Sequence, residues 1–219
     1  MSGSGDHKLE RTATSPANGS DLGKTRGSWW RALRADTHRQ YGRYTFGHLL
    51  KGAVTRRTFR VVVTMRLCHG AASSTGILRL ALPLFRALHR IATGSASMDF
   101  PWRTQVGAGL ALTHGWGLVV TDQTRIGNNV TLFHGVTLGR RDRISPDQSR
   151  LIGYPVLEDE VWVGPHAIIV GAVTIGRGSR IAGGAFVTDD VPAYSVVVGN
   201  PAVIVRRDCT PDVRHPAVI

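Results

Sequence analysis

The chain has 219 residues, two cysteines and a formal net charge of +12 at pH 7. Its length suits one domain, or one domain with a smaller appendage, and two cysteines supply neither a disulfide framework nor a cysteine-based zinc site. No uncharged apolar run is long enough to span a bilayer, and the N-terminus lacks the apolar core of a secretory signal, so a cytoplasmic chain is expected.

Residues 1–27 are rich in Ser, Gly, Thr and Lys and poor in apolar residues, which predicts a disordered tail. Residues 28–95 have sparse Gly and Pro and apolar residues at helical spacing, which predicts an α-helical N-terminal region. Phe59, Val62, Val63, Arg66 and Leu67 belong to one helix. Ile77, Leu78, Ala81, Leu84, Phe85, Leu88 and Ile91 form an apolar stripe in which Pro83 demands a kink or a broken start. Arg79, Arg86 and Arg90 share a face. A solvated basic face is the commoner use of that pattern, and peripheral docking on an anionic membrane is the sharper one. The positive charge also fits a phosphate-rich cofactor. No recognised nucleic-acid motif accompanies the basic residues, so no nucleic-acid partner is expected.

From Thr93 onward Gly and Val become dense and a period of six appears. Leu157, Val163, Ile169, Ile175, Ile181 and Val187 are each six residues apart. Val106, Leu112 and Leu118 show the same step, as do Ile126, Leu132 and Leu138 in a shifted phase. An aliphatic residue at every sixth position points into a narrow prism, and a small residue two before the next lets the chain turn the corner. Three such faces make one coil of a parallel β-helix, with coils stacked about 4.8 Å apart. The period fails in GRRDRISPDQSRLIGYP, which marks an excursion loop over 139–156. DDVPAYSVVVGNPAVIVRRD is expected to leave the phase and close the prism, with 207–219 as a C-terminal tail.

One histidine, His114, stands in ALTHGWGLVV, a run otherwise apolar or small. Attack by an alcohol on a thioester needs a base whose pKa lies near the operating pH, and imidazole is that base. Gly115 and Gly117 leave room for a substrate and Trp116 can wall the site. A histidine merely exposed on a coil face fits the residues equally well. His134 follows twenty residues later, close to one coil, so it sits near His114 as a coil-face polar residue, an acceptor contact or a second base. His166 reads as structural or as lying at the edge of a cofactor arm.

The stretches MDFPWRTQVGAGLALTHGWGLVV, IGNNVTLFHGVTLG and VWVGPHAIIVGAVTIGRGSRIAGGAFVTDDVPAYSVVVGNPAVIV resemble the hexapeptide-repeat acyltransferases, in their serine acetyltransferase-like branch. The resemblance covers roughly residues 98–206. It implies a mainly β fold, a left-handed parallel β-helix over 96–206 behind the helical region, a homotrimer with active sites between neighbouring prisms, and direct acetyl transfer from acetyl-CoA to a hydroxyl. No metal is expected. His114 matches the family's catalytic histidine, and Asp99, fifteen residues earlier, matches its Asp partner. Glycine-rich corners at Gly139, Gly164 and Gly183 match positions that line the pantetheine arm, and Arg206 and Arg207 are placed to meet the CoA phosphates.

The acceptor residues depart from the family. Where its serine enzymes carry an Arg-His pair, this chain reads Ile152-Gly153-Tyr154-Pro155, and Thr113 replaces the Asp before the catalytic histidine. Thr113, Trp116, His134, Arg150 and Tyr154 are the expected acceptor contacts. The tyrosine and the basic loop suit a sugar, so a saccharide of a surface polysaccharide or its lipid-linked precursor is the expected acceptor. L-serine, in cysteine biosynthesis, is the alternative. A non-catalytic β-helix assembly subunit is a further one.

Overall fold

The hexad aliphatics stack in three columns in the computed structural model, which describes residues 28–144, 146, 148 and 150–219. The tail expected over 1–27 lies outside the described residues. The fold is a left-handed parallel β-helix carrying an N-terminal helical region.

Each turn of the prism contributes one short strand to each of three parallel faces. The first face stacks Gln105–Val106, Arg125–Ile126, Val156–Leu157 and Thr174–Ile175. The second stacks Ala111–Thr113, Thr131–Phe133, Trp162–Val163, Arg180–Ile181 and Val196–Val198. The third stacks Val119–Val120, Thr137–Gly139, Ile168–Val170 and Phe186–Val187. Leu112, Leu132, Val163, Ile181 and Val197 are in register along the second face, and Val120, Leu138, Ile169 and Val187 along the third. All are buried. Each such side chain contributes about 1.5–3 kcal/mol relative to exposure. The corner residues two places before them are also buried, among them Leu118, Val136, Ala167 and Ala185.

One column differs from the hexad reading. Val120, not Leu118, pairs with Leu138, so the step from Leu112 is eight residues. The corner His114-Gly-Trp-Gly takes up two extra residues, and Leu118 becomes the buried corner residue. At the other end Val191 bridges to Ile175 and Val196–Val198 still runs parallel, so the chain makes another turn with a shortened corner before Val203–Arg206 folds back antiparallel and closes the second face. The excursion is a hairpin, Arg141–Ile144 against Arg150–Gly153, leaving from the third face and returning to the first.

Five helices cap the start of the prism: α1 Ser28–Tyr41, α2 Phe46–Thr55, α3 Arg57–Ser73, α4 Ile77–Leu80 and α5 Leu82–Ser95. Pro83 stands in the first turn of α5, where its missing N–H is not needed, and this breaks α4 from α5. Central α3 buries Phe59, Val61, Val62, Met65 and Cys68. The stripe of α4 and α5 is not turned inward as amphipathic packing would have it. Ile77, Leu80, Leu84, Leu88 and Ile91 are exposed, and the packed side of α5 offers His89 and Ala92.

The helices are clamped to the prism by buried charge. Asp36 of α1 and Arg66 of α3 form an ion pair of 2.8 Å, with side chains 0% and 2% exposed. Asp36 accepts a hydrogen bond from the Leu110 amide, and Arg66 donates to the carbonyls of Val106 and Gly107. Arg39 donates to the carbonyls of Gly109, Asn129 and Arg214 and to the Thr131 hydroxyl. The C-terminal tail runs back along the prism, its Ala217 amide and carbonyl both bonded to the Asn129 side chain at 3.0 Å. Among the described residues no helix is long and apolar enough to cross a membrane.

Candidate functional site

The corner between the second and third faces carries one histidine in each of three successive coils. The chain must turn sharply there, and it does so with a left-handed residue three places before each inward aliphatic. That residue is Gly117, Gly135 and Gly184 in three coils, and His166, at φ 58°, in the fourth. Glycine adopts this conformation freely, whereas a residue with a Cβ is strained in it. His114 is also left-handed, at φ 57°, in the two-residue expansion of the top corner. The amides of Gly135, His166 and Gly184 donate to the carbonyls of Trp116, His134 and Pro165 in the preceding coil, so the corner is itself hydrogen-bonded along the axis.

The three rings form a row. His114 and His134 have centroids 6.2 Å apart, and His134 and His166 are 5.0 Å apart, both pairs edge to face. His114 and His166 are exposed, and His134 is half-buried between them. The Nδ1 atom of His134 is shut off from solvent and has no hydrogen-bond partner among the described residues. A Cβ on Gly135 would fall 2.2 Å from Nδ1 of His166, so glycine is what lets the third ring lie against the corner.

The top of the row is packed from the segment before the prism. Gly117 donates its amide to the Ser97 carbonyl, and a Cβ on Gly115 would lie 2.1 Å from Cε of Met98. Asp99 follows, pairing with Val119 on the outer row of the third face. It is exposed, and no hydrogen bond joins its carboxylate to the His114 ring. Trp116 is 55% exposed, with the Arg57 guanidinium 4.9 Å above its ring. Thr113 ends the strand that leads into His114.

In the third and fourth coils the corner also carries glycine, Gly164 beside His166 and then Gly183. A Cβ on Gly164 would lie 2.7 Å from the Gly183 amide, so close coil stacking by itself requires glycine there. Gly139 stands apart, at the end of its strand on the third face beside Val170. Arg206 ends the closing strand on the second face, with Arg207 exposed beside it.

The hairpin residues are not brought to this corner within one chain. Arg150 and Tyr154 lie where the excursion returns to the first face, and the Arg150 guanidinium is held at 3.0 Å by Asp142. Asp142 also binds Arg140, and those arginines hold its carboxyl down to about 2. Sequence reasoning did not place His166 in this row. The signal was its place in a column otherwise held by glycine. Among the described residues no group of three His, Cys, Asp or Glu side chains is placed to hold a metal.

Comparison with known proteins bears on this geometry. The family described as "Bacterial transferase hexapeptide (six repeats)" matches residues 154–189. Serine acetyltransferase 2 of Arabidopsis thaliana is 40% identical over 109 residues, which is 50% of this chain and 32% of that protein. The serine acetyltransferase of Helicobacter pylori is 33% identical over 123 residues, 56% of this chain and 69% of the relative. The matched stretch thus spans between about a third and two thirds of these relatives. The crystal structure of serine acetyltransferase in complex with coenzyme A from Brucella abortus superposes with a TM-score of 0.66 at 28% identity, covering 84% of this chain and 70% of that one. These relatives correct the saccharide acceptor expected from the loop and the basic helices: they are serine acetyltransferases.

Proposed function

The chain belongs to the serine acetyltransferase-like branch of the hexapeptide-repeat acyltransferases, and from that premise we propose that it transfers the acetyl group of acetyl-CoA to the hydroxyl of L-serine. The single observation that carries the reading is the placement of His114. It is the exposed imidazole of the top corner, at the head of the row of three histidines.

The chemistry follows from that placement. His114 takes the proton of the serine hydroxyl as the oxygen attacks the thioester carbonyl. A C–O bond forms, the carbonyl electron pair moves onto oxygen, and the C–S bond breaks as the oxyanion collapses. His114 returns its proton to the departing sulfur. Asp99, on the neighbouring row of the top coil, is the carboxylate that orients the ring and offsets the imidazolium charge. The pantetheine arm runs along the corner at Gly164 and Gly183, with Gly139 on the adjoining face, and Arg206 and Arg207 meet the phosphates. Thr113, Trp116 and His134 border the acceptor.

The active unit in this reading is a homotrimer in the cytoplasm. Arg150 and Tyr154, remote from His114 in their own chain, then reach the corner of a neighbouring prism. Thiol release from acetyl-CoA with L-serine, compared between wild type and Asp99→Asn, tests the dyad. The variant is expected to lose at least ~100-fold in kcat, because the tautomer is no longer fixed. Wild-type kcat in Asp99→Asn contradicts it.

A second contact is favoured by the outer face of α4 and α5. Ile77, Leu80, Leu84 and Ile91 are 86%, 78%, 59% and 67% exposed, with Arg79, Arg86 and Arg90 beside them. No acidic residue occurs between Thr37 and Met98. A second copy of such a face would set arginine against arginine, whereas an anionic lipid surface supplies the opposite charge. Co-sedimentation with phosphatidylglycerol vesicles, weakened by salt and lost in Arg79→Glu/Arg86→Glu/Arg90→Glu, is the expected result. Equal sedimentation of wild type and variant contradicts it.

A further inference from the structure

We propose that His134 donates a hydrogen bond to the acetyl carbonyl oxygen as it becomes the oxyanion, and that His166 is the positioning residue that holds the His134 ring for this task. The inference rests on the reaction proposed above and adds a second group that touches the reacting atoms.

Three observations carry it. The first is order along the axis. His114, which meets the serine hydroxyl, lies in the top coil. The glycine corner that takes the thioester arm, Gly164 and Gly183, lies in the third and fourth coils. The acetyl carbonyl is bonded to both partners in the tetrahedral intermediate, so it lies between them, at the level of the second coil. His134 is the corner side chain of that coil, 6.2 Å from His114 between ring centroids.

The second observation is which nitrogen is free. Nδ1 of His134 is enclosed without a partner, so Nε2 is the nitrogen through which the ring reaches a ligand.

The third is position. His166 occupies the left-handed corner position, φ 58°, that three other coils give to glycine. The ring of His166 lies 5.0 Å from that of His134, edge to face, in a space that exists only because residue 135 has no side chain.

The test uses His134→Ala, His134→Gln and His166→Gly, with kcat and both KM values from thiol release and Tm from thermal unfolding. His134→Ala is expected to lower kcat about 100-fold with KM for serine and acetyl-CoA changed less than about 3-fold, the pattern of a lost oxyanion donor. His134→Gln keeps an N–H and is expected to recover at least a tenth of the wild-type kcat. His166→Gly relaxes the corner, so Tm is expected to stay level or rise while kcat falls. A merely structural His166 gives the reverse, a lower Tm with unchanged kcat. Wild-type kcat in His134→Ala, beside an inactive His114→Ala, overturns this inference and leaves the proposed reaction standing. Gln no better than Ala overturns the donor role. A wild-type protein that releases no thiol with serine overturns both.

Discussion

The prism and the helical cap bury different things. In the prism the interior is aliphatic, in columns one residue wide, and the buried polar side chains around it, such as Thr124, Asn129, Thr131, Ser179 and Ser195, are uncharged. Ser179 is typical: its hydroxyl donates to the Pro192 carbonyl and accepts from the Ser195 amide. The cap instead buries Asp36, Arg66, Arg39 and His89, and ties them to the prism through backbone carbonyls and amides. A repeat stacks on itself by shape alone, so any aliphatic of the right size serves. A small helical layer must be fixed in one orientation on a surface it does not repeat, and directional hydrogen bonds to charged groups do that. The candidate site lies where the two meet, with Met98 and Arg57 packed over the corner that carries His114.

The sharpest break in this comparison is Asp36→Ala. It strands Arg66 in a site where its side chain is 2% exposed, and breaking such a pair costs about 3–5 kcal/mol. Urea unfolding is expected to show that loss, with the helices released before the prism by hydrogen exchange. Next comes Ile169→Ala. It empties one layer of the third column, which is 0% exposed, at about 4 kcal/mol. Here protection is expected to fall along the prism and not in α3.

Acid separates the regions without mutation. Burial pushes His69 down to about 4, with Arg66 adding to the effect, and burial lowers His89 as well. An unfolded histidine takes up its proton near pH 6.5, but the folded cap refuses it until about pH 4. Stability is therefore full above pH 6.5 and declines as pH falls from 6.5 towards 4, by about 3 kcal/mol for His69. Amides of α3 and α5 are expected to lose protection at pH 4.5 relative to pH 7, and equal protection at both pH values counts against the assignment. The smallest effect is Ser179→Ala. It leaves the Ser195 amide unpaired in one corner and costs about 1–2 kcal/mol by urea unfolding.

The prism was legible because a period of six records a geometry: every inward position is repeated, and one residue's meaning is checked by the next. Where the period stretches, legibility ends. Leu118 and Val120 are both aliphatic, and only pairing with Leu138 shows that the corner before them is two residues longer. The cap has no such redundancy. The stripe from Ile77 to Ile91 has helical spacing, yet spacing does not say whether a face meets protein or solvent, and this one is exposed in the single chain. The Asp36–Arg66 clamp joins residues thirty apart in different helices, which no local pattern records.

At the site, His114 stood out as an imidazole in an apolar run, and the match to the family's motif gave it a role. His166 did not stand out, because its meaning lies in the glycine column it interrupts, and that column is visible only once the coils are stacked. The acceptor was misread for a related reason. Tyr154 and the basic loop were weighed by residue type, which suits a sugar as well as an amino acid, whereas the relatives that match the chain are serine acetyltransferases.

The most direct test of the account is release of free thiol from acetyl-CoA in the presence of L-serine, for wild type and His114→Ala. Serine-dependent release by the wild type, lowered at least ~1000-fold in His114→Ala with Tm unchanged, is the predicted result. No serine-dependent release by the wild type, or comparable release by a folded His114→Ala, would contradict the account.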